Sequence, residues 1–124
     1  MKLTDNFFVS EVTCKCGCVL PDDIKANLKK VAKNLEVIRA EIGNKVLNIN
    51  SGYRCLKHNT KVGGAKASKH MQGIATDIRC KTITPIELAK IIERLMDAGK
   101  ISKGGIGVYK TFVHYDIRGY KVKF

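Results

Sequence analysis

The sequence has no apolar run that approaches the ~18 residues of a membrane span, which excludes a transmembrane helix. Its first residues, MKLTDNFFVSEV, contain neither an apolar segment of signal-peptide length nor a small-residue cleavage site. The expectation is therefore synthesis in the cytoplasm, with any outside target reached by another route. Aromatic residues are few, at 6%, and no nucleic-acid-binding motif is present. That removes the stacking platform on which single strands are usually held, so no nucleic-acid partner is expected. Acidic residues are also scarce, 11 Asp and Glu against 23 Lys and Arg, for a net charge of +12. Such a surface attracts polyanions such as nucleic acid, an acidic membrane face or an anionic wall, and charge alone does not choose among them. Five cysteines, an odd number, do not make a complete disulfide framework.

What remains is a chain of 124 residues, 44% hydrophobic and 27% charged. This suits one domain, 1–124, with a core that needs no cross-links. Residues 1–21 read as an irregular lead-in containing Cys14, Cys16 and Cys18. A helix is expected from about Asp22 to Ile42, because Ile24, Leu28, Val31, Leu35 and Ile38 recur at steps of three and four. Residues 46–50 alternate as a short strand, and 57–73 read as a loop, or a short helix plus loop. Residues 74–80 suit a second strand. Thr84-Pro85-Ile86-Glu87 is a capping box opening a second helix that Gly99 can close. A hairpin over 105–108 and 112–117, turning near Lys110 and Thr111, completes the chain. Helices and strands mix without a βαβ rhythm, which favours α+β, with a small antiparallel sheet packed against helices.

Two of the three histidines stand near acids, in Ser68-Lys-His70-Met-Gln-Gly-Ile-Ala-Thr-Asp77 and in His114-Tyr-Asp116. Catalytic zinc usually takes three protein ligands and keeps a position for water. His70 and Asp77 would supply two ligands from one segment, with Gly73 and Ala75 letting the backbone bend close to a metal, and His114 would supply the third. His114 and Asp116 are two apart and share a strand face. Asp116 then either orients a ligand or serves as general base. His58 has no motif partner and is expected to be solvated.

The pattern Ser-x-His-x-x-Gly-x-Ala-x-Asp followed by a strand His resembles the zinc D-alanyl-D-alanine carboxypeptidases and L-alanyl-D-glutamate endopeptidases. The Hedgehog signalling domain shares their fold. Ser51-Gly52-Tyr53-Arg54 matches a further segment of that family, so the resemblance spans about residues 46–118. It implies a zinc ion on His70, Asp77 and His114, and hydrolysis of a peptide bond in peptidoglycan stem peptides or crosslinks by zinc-activated water. It also implies that Arg54 steadies the substrate carbonyl or oxyanion. Ser51 and Ser68, which stand in the two matching motifs, join Arg54 as expected substrate-binding residues, although Ser68 has the plainer option of bonding the loop backbone. Several relatives carry Glu or Asp three residues before the last His, where this chain has Thr111. Others have His-x-Asp, which His114-Tyr-Asp116 resembles, so the base is expected at Asp116.

A small domain of this kind without a leader resembles a bacteriophage lysis or tail-associated enzyme. It would act at the bacterial wall after phage-mediated release or within a virion, with anionic wall polymers as partners of its basic surface. The competing reading is a zinc-binding module of the same fold that binds wall or protein without turnover. A second, structural zinc at Cys14, Cys16 and Cys18 is not expected. Their spacing is one residue short of Cys-x-x-Cys, and a fourth ligand would have to come from Cys55, Cys80 or His58.

Overall fold

Two amphipathic helices and the sheet they cover organise the chain, which a computed structural model describes over residues 2–64 and 68–124. The longer of the two, α2 (Asp22–Glu41), begins after Pro21 with Asp22 and Asp23 in its first turn and carries Arg39 in its last. Each charge faces the helix end that it complements. Ile24, Leu28, Val31, Leu35 and Ile38 are buried, as their spacing predicts. The other, α4 (Pro85–Asp97), has Pro at its first position, and the Thr84 hydroxyl accepts the Glu87 amide. Leu88, Ile92, Leu95 and Met96 are its buried face.

The main sheet comprises β3 (Asn48–Ser51), β4 (Ala75–Arg79), β5 (Gly105–Val108), β6 (Val113–Asp116) and β7 (Val122–Lys123), in the order β3-β4-β6-β5-β7. All pairs are antiparallel except β5 with β7. Alternation along the strands sorts their side chains onto two faces. Ile78, Ile106, Val113 and Tyr115 join the apolar core that includes the buried residues of α2 and α4. The intervening residues Asp77, His114 and Asp116 lie on the opposite face. One side of the sheet is thus committed to stability and the other is left for chemistry.

The α+β class stands, with three corrections in detail. The lead-in is more ordered than its sequence suggests. It contains the hairpin β1 (Lys2–Thr4) with β2 (Phe7–Phe8) and one helical turn, α1 (Val9–Val12). Leu3, Phe7 and Val12 are buried in the common core, on elements too short to display a period. The strand expected at 46–50 begins at Asn48, with Val46 exposed and Leu47 already in the core. The sheet is mixed rather than wholly antiparallel, because β7, which the sequence pattern did not disclose, runs parallel to β5. The segment expected over 57–73 resolves into α3 (Leu56–Lys61) and a 3₁₀ turn at Lys69–Gln72, and residues 65–67 within it lie outside the described residues. No helix among the described residues is long and apolar enough to cross a membrane.

Candidate metal centre

Strand pairing sets the geometry. Asp77 on β4 is the direct partner of His114 on β6, so the two side chains rise side by side from the open face. His70 arrives from the 3₁₀ turn, which Ser68 caps by accepting the His70 amide at 3.2 Å. Gly73 ends that turn in the left-handed region, φ 71°. A Cβ there would stand 2.7 Å from the Ile24 side chain. Gly73 is therefore needed to end the turn against α2, and not, as expected from the sequence, to let the backbone approach a metal.

The three side chains converge. His70 Nε2 lies 3.2 Å, and His114 Nδ1 3.3 Å, from Asp77 Oδ1. One ligand atom from each of the three lies within 4.8 Å of the other two. Zinc bonded to N and O donors at about 2.0–2.1 Å in tetrahedral geometry separates its ligands by about 3.4 Å, so this donor set fits zinc. The outward nitrogens are fixed too. His70 Nδ1 sits 2.7 Å from the Gly52 carbonyl, which can only accept, so Nδ1 carries the proton and Nε2 faces inward. His114 Nε2 donates to Asp116 Oδ2 at 2.8 Å and leaves Nδ1 inward. Such outer partners hold the ring and tautomer of a metal-binding histidine.

Without a cation, protons hold the site together. Burial works against a charged His114, but hydrogen bonds to Asp116 and Asp77 outweigh it and raise the pKa above its usual 6.5. Burial likewise works against the Asp77 carboxylate, yet hydrogen bonds from His114 and His70 bring its pKa down to about 2. A proton on His114 Nδ1 is thus favoured more than on a free imidazole, at the position that a metal would take.

Arg54 crosses the same space. Its backbone amide donates to the His70 carbonyl at 3.1 Å, tying the two sequence motifs together. Its guanidinium donates to Ser51 Oγ at 3.3 Å, Asn59 Oδ1 at 3.1 Å and Asp77 Oδ2 at 3.4 Å. A cleft of about 590 Å³ opens over this group, lined by Arg54, Ser68, Lys69, His70, Asp77, His114 and Arg118, with Val62, Tyr109, Phe112 and Phe124 as its apolar part. Tyr109 and Phe112 stack at 4.8 Å.

Two expected roles change with these positions. Ser51 does not line the cleft; its hydroxyl holds Arg54, so it positions the arginine rather than touching substrate. Asp116, expected as general base, is fully buried beneath His114. Its oxygens also accept from the Gly105 amide at 2.8 Å and from Arg118 Nε and Nη2 at 2.9 and 2.7 Å. Burial would raise its pKa, but the hydrogen bonds from His114 and Arg118 drive it far below the ordinary carboxylate range. A carboxylate so placed orients His114 and is a poor proton acceptor. Thr111 is exposed at the hairpin turn, outside the cleft lining, and Asp77 is the sole carboxylate among the described lining residues. His58 is half-buried rather than solvated.

The sequence reading missed Asn59 and Arg118. Arg118 stands two residues beyond Asp116, the same spacing that joined His114 to Asp116, and that spacing was its available signal. Asn59 gave none, since only the fold of α3 carries it back to Arg54. Of the three residues open as a fourth partner for the cysteine lead-in, the fold selects one. Cys55 joins Cys14, Cys16 and Cys18 in one cluster, while Cys80 stands apart beside Thr82.

A mixed sheet in an α+β fold brings buried His70, Asp77 and His114 together beneath an open cleft, a donor set that could hold one metal ion. The sequence profile described as Peptidase M15 matches residues 4–116, and the chain belongs to that family of zinc metallopeptidases. It is 37% identical over 62 residues to the zinc D-Ala-D-Ala carboxypeptidase of Streptomyces albus G. The match covers 50% of this chain and 24% of that relative, so the chain spans only about a quarter of the length of the curated relative it matches.

Proposed function

We propose that this protein hydrolyses a peptide bond in bacterial peptidoglycan, in the stem peptide or its crosslink. The observation that carries the reading is the convergence of His70 Nε2, Asp77 Oδ1 and His114 Nδ1 at the floor of a cleft that Arg54 also lines. The similarity to a protein named as a zinc D-Ala-D-Ala carboxypeptidase supports this substrate class. The net charge of +12 suits attraction to anionic wall polymers, and action at the wall belongs to the same proposal.

His70, Asp77 and His114 would hold the zinc. When bound, it supplies a Lewis acid and lowers the pKa of water towards ~7. The chain's own residues do the rest. Asp116 fixes the His114 ring through Nε2, and the Gly52 carbonyl fixes His70 through Nδ1. Arg54 is held from three sides at the cleft wall, where its N–H groups donate to the scissile carbonyl oxygen as negative charge develops. Val62, Tyr109, Phe112 and Phe124 offer apolar surface to the flanking part of the peptide.

The test is digestion of purified walls by the zinc-loaded protein, followed by mass spectrometry of the released muropeptides. New peptide termini that vanish on chelation and return with zinc are expected, and their identity separates carboxypeptidase from endopeptidase. Walls left unchanged by a fully zinc-loaded protein would overturn the reading. They would favour a binding module instead, which the lack of a second carboxylate among the described lining residues would then explain.

A further inference from the structure

We propose that Cys14, Cys16, Cys18 and Cys55 form a second metal site, a tetrathiolate centre for a structural zinc ion that clamps the N-terminal segment to the base of α3. The sequence argued against this because the spacing is one residue short of Cys-x-x-Cys and the fourth ligand stayed open among Cys55, Cys80 and His58. The fold supplies it, since Cys55 at the N-cap of α3 meets three thiols from a segment some 41 residues earlier.

The geometry is that of a ligand set. Sγ–Sγ separations are 3.2 Å for Cys14 and Cys16, 3.4 Å for Cys16 and Cys55, and 3.6 Å for Cys14 and Cys55. Cys18 completes a group whose sulfurs all lie within 4.8 Å of one another. Four thiolates around zinc at Zn–S of about 2.3 Å stand about 3.8 Å apart, so modest adjustment encloses an ion. None of the five cysteines is in a disulfide. The backbone is arranged for the purpose as well. Gly17, at φ 80°, turns the chain, with its amide donating to the Cys14 carbonyl at 3.1 Å, which brings Cys18 back to the cluster. Backbone amides already point at the sulfurs, Cys55 N–H to Cys14 Sγ and His58 N–H to Cys55 Sγ, both at 3.4 Å. Amide donors of this kind stabilise thiolate charge in the outer shell of a metal site.

The site also has a reason to exist. Cys55 directly follows Arg54, and the amide of Tyr53 donates to the Val12 carbonyl at 2.8 Å. The lead-in therefore buttresses the segment whose Gly52 carbonyl orients His70 and whose Arg54 lines the cleft. Without metal, that buttress holds two exposed thiols, Cys16 and Cys18. With metal, it becomes a fixed corner next to the catalytic cleft.

The experiment is a metal count and a cobalt spectrum on the full chain, purified without oxygen and loaded with excess zinc or Co²⁺. Wild type is expected to retain about two ions per chain, one at each site. The His70→Ala/His114→Ala double variant is expected to retain about one, whose cobalt form shows strong thiolate-to-metal charge-transfer absorption. Cys16→Ser/Cys18→Ser is expected to retain about one as well, without that absorption. Should the cysteine variant not fold, the count and spectrum of the histidine variant still decide. A histidine variant that binds no metal, or wild type with one ion and two disulfides, overturns the thiolate site and leaves the peptidase reading intact. A single ion that survives loss of both histidines but not of the cysteines confirms the thiolate site and removes the metal from the proposed active centre.

Discussion

The two candidate metal-ligand clusters of this molecule are built on opposite plans. The His70–Asp77–His114 group stands on paired strands and a short turn, with every ligand buried and each ring pinned by a carbonyl or a carboxylate. The four-cysteine group stands on a loop and a helix cap, with two of its thiols exposed. A site that must keep one coordination position for chemistry needs its other ligands held rigidly by the scaffold, because the metal cannot organise them alone. A closed tetrathiolate site organises its own loop, because binding energy becomes folding energy there. On the two proposed roles, rigidity before metal suits the His70–Asp77–His114 group as a catalytic centre, and rigidity after metal suits the four-cysteine group as a structural one.

The largest expected effect breaks the rigid site. Asp77→Ala removes the ligand that both histidines face, as well as one partner of Arg54. Peptidase activity should fall by about 10³-fold or more, since the Lewis acid contributes several kcal/mol. Zinc at the histidine site should be lost, and thiolate-bound zinc should be unaffected. Metal analysis alongside a wall-digestion assay checks both. Retention of histidine-site zinc would contradict the ligand assignment.

Arg54→Ala should come next. An oxyanion donor acts mainly in the transition state, and losing one typically costs ~10²–10³ in rate. Zinc content should stay at the wild-type value, because Arg54 touches Asp77 through Oδ2 while both histidines face Oδ1. Arg54→Lys should recover only part of the rate, because an ammonium lacks the planar fork that spans Ser51, Asn59 and Asp77. Full activity of Arg54→Ala would remove it from the mechanism.

How much of this was legible in the sequence follows the same division. The candidate catalytic ligands lie in two short motifs, and strand alternation alone puts His114 and Asp116 on one face. The helices announced themselves through the spacing of Ile24 to Ile38 and the Thr84 cap. Register was not legible, and register is what makes Asp77 the partner of His114. The role of Asp116 was undecidable for a related reason, because an i, i+2 pair on a strand says nothing about burial. The thiol cluster was illegible because its closure depends on Cys55, which only tertiary packing brings near the Cys14–Cys18 loop. The fold of residues 2–12 was hidden by elements too short to show a period.

Asp116→Asn sharpens the comparison from within the rigid site. As the group that orients His114, its loss should weaken zinc by ~10–100-fold, and activity should return when zinc is supplied in excess. Were Asp116 the general base, saturating zinc would not restore the rate. Zinc titration of the variant at fixed substrate separates the two outcomes.

The smallest effect concerns pH and the competition between proton and metal. In the metal-free protein, Asp77 has a folded pKa of about 2, below its ordinary 3.8. Its contribution to stability is thus fully present above about pH 4 and lost as pH falls through about 2. His114 is shifted the other way, above its ordinary 6.5. Its contribution is fully present below that value and is lost as pH rises through the raised folded pKa. Both contributions are therefore fully present only between about pH 4 and pH 6.5, and each fades outside that window towards its folded pKa. Zinc requires His114 to give up its inward proton, so stabilisation by zinc at this site should be small in that window and should grow as pH rises beyond it. Thermal melts of the Cys16→Ser/Cys18→Ser variant, with zinc and with chelator, isolate this site from the thiol cluster. The gap in Tm should widen steadily from pH 5.5 to pH 8.5, by about a few degrees for each kcal/mol gained. A gap that does not change with pH would mean that no proton leaves when the metal binds, and the picture of His114 as a shared proton-or-metal ligand would fail.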